Sequence, residues 1–131
     1  MKKKQSKKFT TMKKAMFILA VVLTSVTMYG QNITGKWNGK FNLHGKDLTV
    51  VFHNSKSKSG LKATMDSPDQ KSYGIPVTFT NFNDSILKLE IANAGIEYLG
   101  TFDKDNNFVG TINLKNSQQL FPLILTKKEI D

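Results

Sequence analysis

The sequence contains no cysteine and no arginine, and among its 131 residues it has one Trp, two His and three Pro. Without cysteine there are no disulfides, no thiol nucleophile, no Cys-ligated zinc and no lipid attachment through an N-terminal Cys. A domain without disulfides must be held together by its apolar core. Without arginine there are no forked contacts to phosphates or base edges. The formal charge of +9 points to an anionic partner only at first sight. Seven of the nineteen Lys lie within residues 2–14, and after residue 30 twelve Lys face ten acids, a residual +2. That distribution argues against a nucleic-acid partner.

The basic start is followed by a short apolar run, Ala15 to Val26. A run of this length falls short of the ~20 residues that a bilayer span needs. A positive segment, a short apolar segment and then small or polar residues make a secretory signal peptide. Residues 1–30 are therefore expected to form a signal helix that is cleaved after Gly30, with Met12 as an alternative start. An uncleaved anchor is the other reading of this segment. The expected location is the periplasm or the outside of the cell, with no membrane contact after cleavage. Residues 31–131 are expected to be a single domain, long enough for one core.

Period-2 alternation runs through that domain. Trp37, Phe41 and Leu43 share one face, followed by Leu48, Val50 and Phe52, then Leu61, Ala63 and Met65. Ile75, Val77 and Phe79 form the next run, then Leu87, Leu89 and Ile91, then Ile96, Tyr98 and Phe102, then Phe108, Ile112 and Leu114. Leu120 to Leu125 is apolar on both faces and holds Pro122, which points to an edge or a bulge. Short turns fall at Gly45 to Asp47, Asn93 to Gly95, Asp103 to Asn107 and Asn116-Ser117, with longer links at Asn54 to Gly60 and Ser67 to Gly74. Parallel strands need long crossovers, for which there is no room. The fold class is all-β: an antiparallel meander of about eight strands, curled into a closed or nearly closed barrel, with a two-sheet sandwich as the rival. The large inward residues favour a filled interior over a wet lumen.

Catalytic chemistry finds little support. No Ser has the Gly-x-Ser-x-Gly frame of a nucleophile elbow. His44 and His53 both fall on the polar face of one hairpin, too far apart to share a metal, and read as solvated surface residues. Asp103 to Asn107 begins like a calcium loop, but Phe108 and Leu114 stand where Gly and Glu are needed, so it reads as a polar turn. Asp66 and Asp69 flank a Ser67-Pro68 turn and have no further acid partner. Asp84-Ser85-Ile86 matches a short O-glycosylation signal of some exported bacterial proteins, and equally an ordinary turn entering a strand. The chain leans away from enzymatic activity, and no cofactor or metal is expected.

An ordered series of motifs carries a family resemblance. It runs through Gly35-Lys36-Trp37-Asn38-Gly39, Met65-Asp66-Ser67-Pro68-Asp69-Gln70 and Ile75-Pro76-Val77. It continues through Leu89 to Tyr98, Asn107 to Thr111 and Pro122-Leu123. From about Gly35 to Thr126 the chain resembles the N-terminal β-domain that precedes the catalytic domain in secreted bacterial α/β hydrolases of the serine peptidase and esterase kind. In that family the catalytic Ser, acid and His belong to the following domain, so no catalytic residue carries over. The resemblance implies an accessory or substrate-presenting module, with a hydrolase catalytic domain acting in trans as its partner. A truncated or split hydrolase is a further reading. The Gly-x-Trp start is also similar to lipocalins, which implies a barrel that binds a small apolar ligand, with Trp37 and Tyr98 as the contact residues.

Overall fold

The computed structural model describes residues 32–128. The signal helix and the cleavage site expected within residues 1–30 lie outside the described residues. The described residues from Thr34 onward form one unit, with nine antiparallel strands in two sheets. The first sheet holds β1 (Gly35–Leu43), β2 (Lys46–Ser57), β3 (Gly60–Ser67) and β4 (Ser72–Pro76), paired in chain order. The second holds β5 (Phe79–Asn83), β6 (Ile86–Ile91), β7 (Ile96–Phe102), β8 (Phe108–Leu114) and β9 (Leu120–Leu125), also in chain order. The all-β antiparallel meander is thus the observed fold, and among the described residues helix is limited to single 3-10 turns at Pro68–Gln70 and Ala92–Ala94.

The alternation of the sequence explains the core. Trp37, Phe52, Leu87, Leu89, Ile91, Tyr98, Phe108, Ile112, Leu123 and Leu125 are all essentially inaccessible to solvent. They come from strands of both sheets, so the two inner faces pack on each other. Trp37 meets Phe108 edge-on, with ring centroids 4.8 Å apart, and Phe102 packs on Phe108 at 5.1 Å. Tyr98 is seated by a missing side chain: a Cβ on Gly100 would fall 2.4 Å from the Tyr98 hydroxyl oxygen. The phenol donates to the Leu123 carbonyl at 3.0 Å, with the Phe108 carbonyl at 3.3 Å. Burial raises its pKa well above the ordinary phenol value.

The two sheets meet at two seams. At the first, Asn38 and Thr126 exchange backbone bonds of 2.8 and 2.9 Å, a single bridge between β1 and the residue after β9. At the second, the chain itself runs from β4 to β5 through Val77 and Thr78. The ladders do not form one continuous cylinder, because only this bridge joins the β1 and β9 edges. Pro122 accords with an edge strand. Thr126 turns its N–H and C=O toward β1, and by alternation Pro122 faces that side too, so its missing N–H costs no bond to β8.

Three local expectations are corrected. The first turn is His44-Gly45, both at positive φ (52° and 87°), and β2 already begins at Lys46. A two-residue hairpin of this twist needs positive φ at both central residues, which Gly supplies and His tolerates. The Asn42 side chain accepts from the Gly45 N–H at 2.9 Å and secures the turn. The long link expected at Asn54 to Gly60 is mostly strand, and the Lys58-Ser59 turn closes it. The run Ile75, Val77, Phe79 does not keep one face. Thr80 and Phe82 are half-buried whereas Phe79 is 46% exposed, so the alternation reverses at Thr78.

Candidate binding cleft

The reversal at Thr78 borders a concavity between the two sheets. Pro76 ends β4, and the Val77 N–H makes a last bond of 3.0 Å to the Ala63 carbonyl. Thr78 then turns to the other sheet. Its N–H and its hydroxyl both donate to the Glu90 carbonyl at 2.8 Å, and its oxygen accepts from the Ala92 N–H at 2.9 Å. The chain is thereby pinned to β6 and drawn away from the first half of β3. Between β3 and β5 there opens a cleft of about 580 Å³. Leu61, Ala63, Pro76 and Val77 form its apolar part, while Ser55, Ser59, Thr64, Thr80 and Lys62 bring hydroxyls and a cation.

His53 stands on the wall of this cleft. It lies on β2 across from Thr64, one step diagonally from Asp66 on β3. The imidazole Nε2 is 2.8 Å from Asp66 Oδ2, while Asp66 Oδ1 accepts from the Gly74 N–H at 2.8 Å. The Gly74 bond first, and the His53 bond and charge with it, hold the Asp66 carboxyl below its ordinary pKa of 3.8 against the opposing effect of burial. The pair ties β2, β3 and β4 together and fixes the plane of the ring. Among the described residues, Asp66 is the side chain that bonds to the His53 ring. The pair is an acid and a base, and a triad would need a nucleophile bonded to the imidazole as well.

The second concavity is an apolar recess of about 100 Å³ at the opposite end of β2 and β3. Phe41, Leu48, Val50 and Met65 face Ile96, Ile112 and Leu114 across it, with Ser67 and Gln70 at the rim. Ligand pockets are usually at least about 300 Å³, so side chains nearly fill this interior.

The residues singled out in the sequence take separate places. Trp37 and Tyr98 are 1% and 0% exposed within the core, and neither lines the cleft or the recess. His44 sits in the β1–β2 turn with its ring edge-on to Phe121, away from His53. Asp69 accepts from the Thr49 N–H at 2.7 Å, so Asp66 and Asp69 each hold a different strand and do not act as a pair. Asp103 Oδ1 takes the N–H groups of Asp105 and Asn107, both at 3.0 Å, as a polar turn does. Asp84 and Ser85 are the central residues of the β5–β6 turn, both at positive φ.

Sequence reasoning missed the cleft itself. Its one local signal was Pro76 inside an apparently continuous strand. The His53–Asp66 contact had no local signal, since it depends on the β2–β3 register. Among the described residues no cluster of His and acids has the form of a metal site, and no helix is long and apolar enough to cross a membrane. Comparison of the chain with protein-family models, with curated proteins and with solved structures returned no match.

Proposed function

We propose that the chain is an exported, non-catalytic accessory domain that binds its partner through the cleft between β3 and β5. Export is supported by the seven Lys ahead of the short apolar run. The accessory role is supported by the ordered motifs that resemble the module in front of secreted α/β hydrolases. The partner would then be a hydrolase catalytic domain in trans, or envelope or nutrient material held for one. The observation that carries the reading is the contrast of volumes. The outer cleft measures about 580 Å³ and mixes apolar and hydroxyl groups, whereas the interior recess measures about 100 Å³. A partner engages the space that is open.

A second reading, a binder of a small apolar ligand, draws on the recess bounded by Phe41, Val50, Met65 and Ile112. Amide hydrogen exchange separates the two. The protein is incubated with envelope extract and, separately, with a fatty acid. Added protection at Ser55 to Thr64 and Val77 to Thr80 supports the cleft. Protection confined to the strands around the recess, with fatty acid alone, replaces it with the second reading. Mass measurement of protein recovered outside the cytoplasm tests export, which predicts loss of about thirty residues.

A further inference from the structure

The diversion of the chain at Thr78 leaves part of a strand edge without a neighbour. β3 begins at Gly60, yet its ladder with β4 begins only at Thr64. Val77 to Ala63 is the last rung before the chain leaves, and β5 pairs with β6 instead. Backbone polar groups alternate sides along a strand. Ala63 turns its carbonyl toward Val77, so Leu61 turns its N–H and C=O the same way, into the cleft. No ladder joins the Gly60–Lys62 stretch to β5. An open edge of this kind is a template for another strand.

The rim adds a sign. Lys56, Lys58 and Lys62 are exposed on the β2–β3 hairpin, and no acid occurs from Asn54 to Met65. The Leu61 side chain and Val77 supply an apolar floor beside the open edge. Main-chain bonds, an apolar contact and a cationic rim are the features that receive an extended peptide by strand addition.

We infer that the β3 edge at Gly60–Ala63 takes up an extended acidic peptide segment of a partner protein, bonded main chain to main chain at Leu61 and flanked by Lys58 and Lys62. This rests on the cleft being the binding surface and names the class of its ligand. The edge is short, so the complex is weak and salt-dependent, with its charge contribution screened beyond about 10 Å at 0.1 M salt.

The test uses the purified chain and a fluorescein-labelled short peptide of alternating Glu and Val, read by anisotropy at low salt. Its N-methylated counterpart, a peptide of alternating Lys and Val, and cellotetraose complete the set. The acidic peptide is expected to bind, and blocking its N–H groups to weaken binding by about tenfold. Reversing the rim with Lys58→Glu and Lys62→Glu is expected to weaken it at least as much. Leu61→Pro removes the cleft-facing N–H and no bond to β2, and it should abolish binding. The charge-reversal variant keeps the question decidable if that substitution unfolds the chain. Equal binding of the N-methylated or the Lys peptide overturns strand addition of an acidic segment. If no peptide binds but cellotetraose shifts the amide signals of Leu61 and Thr80, the inference fails and the cleft reading stands. If no probe shifts them, both fail.

Discussion

The two seams between the sheets solve the same problem in opposite ways. At the β1–β9 seam the backbones touch. Asn38 and Thr126 exchange two bonds, and Asn38 Nδ2 reaches the carbonyls of Thr126 and Lys128 at 3.4 and 3.3 Å. Gly39 makes this approach possible, because a Cβ there would lie 2.6 Å from the Ile124 carbonyl oxygen and from a Leu123 methyl. Trp37 packs beneath, with the Lys127 ammonium 5.4 Å from its ring. At the β3–β5 seam, the chain turns away after the rung from Val77 to Ala63, Thr78 is held to β6, and a cleft remains. Where a small side chain and a buried amide lie at the join, the sheets close. Where a proline and a hydroxyl redirect the ladder, they part.

Substitutions at each seam break or sharpen this contrast. The largest effect is expected from Trp37→Ala, about 3–5 kcal/mol of lost stability by denaturant unfolding, the usual cost of deleting a buried large aromatic. A loss below about 1 kcal/mol would mean that the closed seam does not depend on the core beneath it. Gly39→Ala is next, at about 1–3 kcal/mol for forcing a methyl into packed backbone. The closed seam should then exchange its Asn38 and Thr126 amides faster, while Val77 is unaffected. Thr78→Val retains the shape but removes the hydroxyl that holds the corner to β6, and about 1 kcal/mol should be lost. If the diversion is what opens the cleft, this variant should also change the exchange of the Val77 and Leu61 amides.

The His53–Asp66 pair gives a smaller, pH-dependent effect. The folded pKa of Asp66 lies below its unfolded value near 3.8, so its contribution is fully present above that value. It is lost as pH falls through the lower folded value. Asp66→Asn should therefore cost less than about 1 kcal/mol at neutral pH, since the pair is partly exposed, and should flatten the stability curve below pH ~4. An unchanged acid limb in the variant would assign the pH dependence to other carboxylates. The smallest effect belongs to Lys62→Ala, expected within about 0.5 kcal/mol of the parent because the side chain is solvated on the cleft rim. A larger loss would make Lys62 part of the fold instead of its binding surface.

Much of the core was legible because alternation is a local property. Trp37, Phe52, Leu89, Tyr98, Phe108 and Ile112 were all placed inward by their spacing, and all are buried. Phe79 was misplaced because one bulge-like residue, Thr78, reverses every side chain after it, and nothing in a run of Ile, Val and Phe marks where the reversal falls. The candidate site was less legible than the core. Trp37 and Tyr98 stood out as large aromatics, yet the cleft is lined by Ser, Thr, Lys and small apolar residues that look ordinary in any strand. His53 and Asp66 meet only because β2 and β3 pair in one register, thirteen positions apart in the chain.

By itself the amino-acid order determined most of the inward residues, the neighbourhood of most turns, and that the strands are antiparallel. These follow from side chains alternating across a strand and from loops too short for a crossover. It did not determine which strand edges meet. The closing of β1 on β9 needs Gly39 to lie against Ile124, 85 positions away, and the opening between β3 and β5 needs Thr78 to find the Glu90 carbonyl before the ladder can extend past Ala63 toward Lys62. Each is a competition between distant backbones for the same hydrogen bonds, and only the assembled fold shows which partner wins.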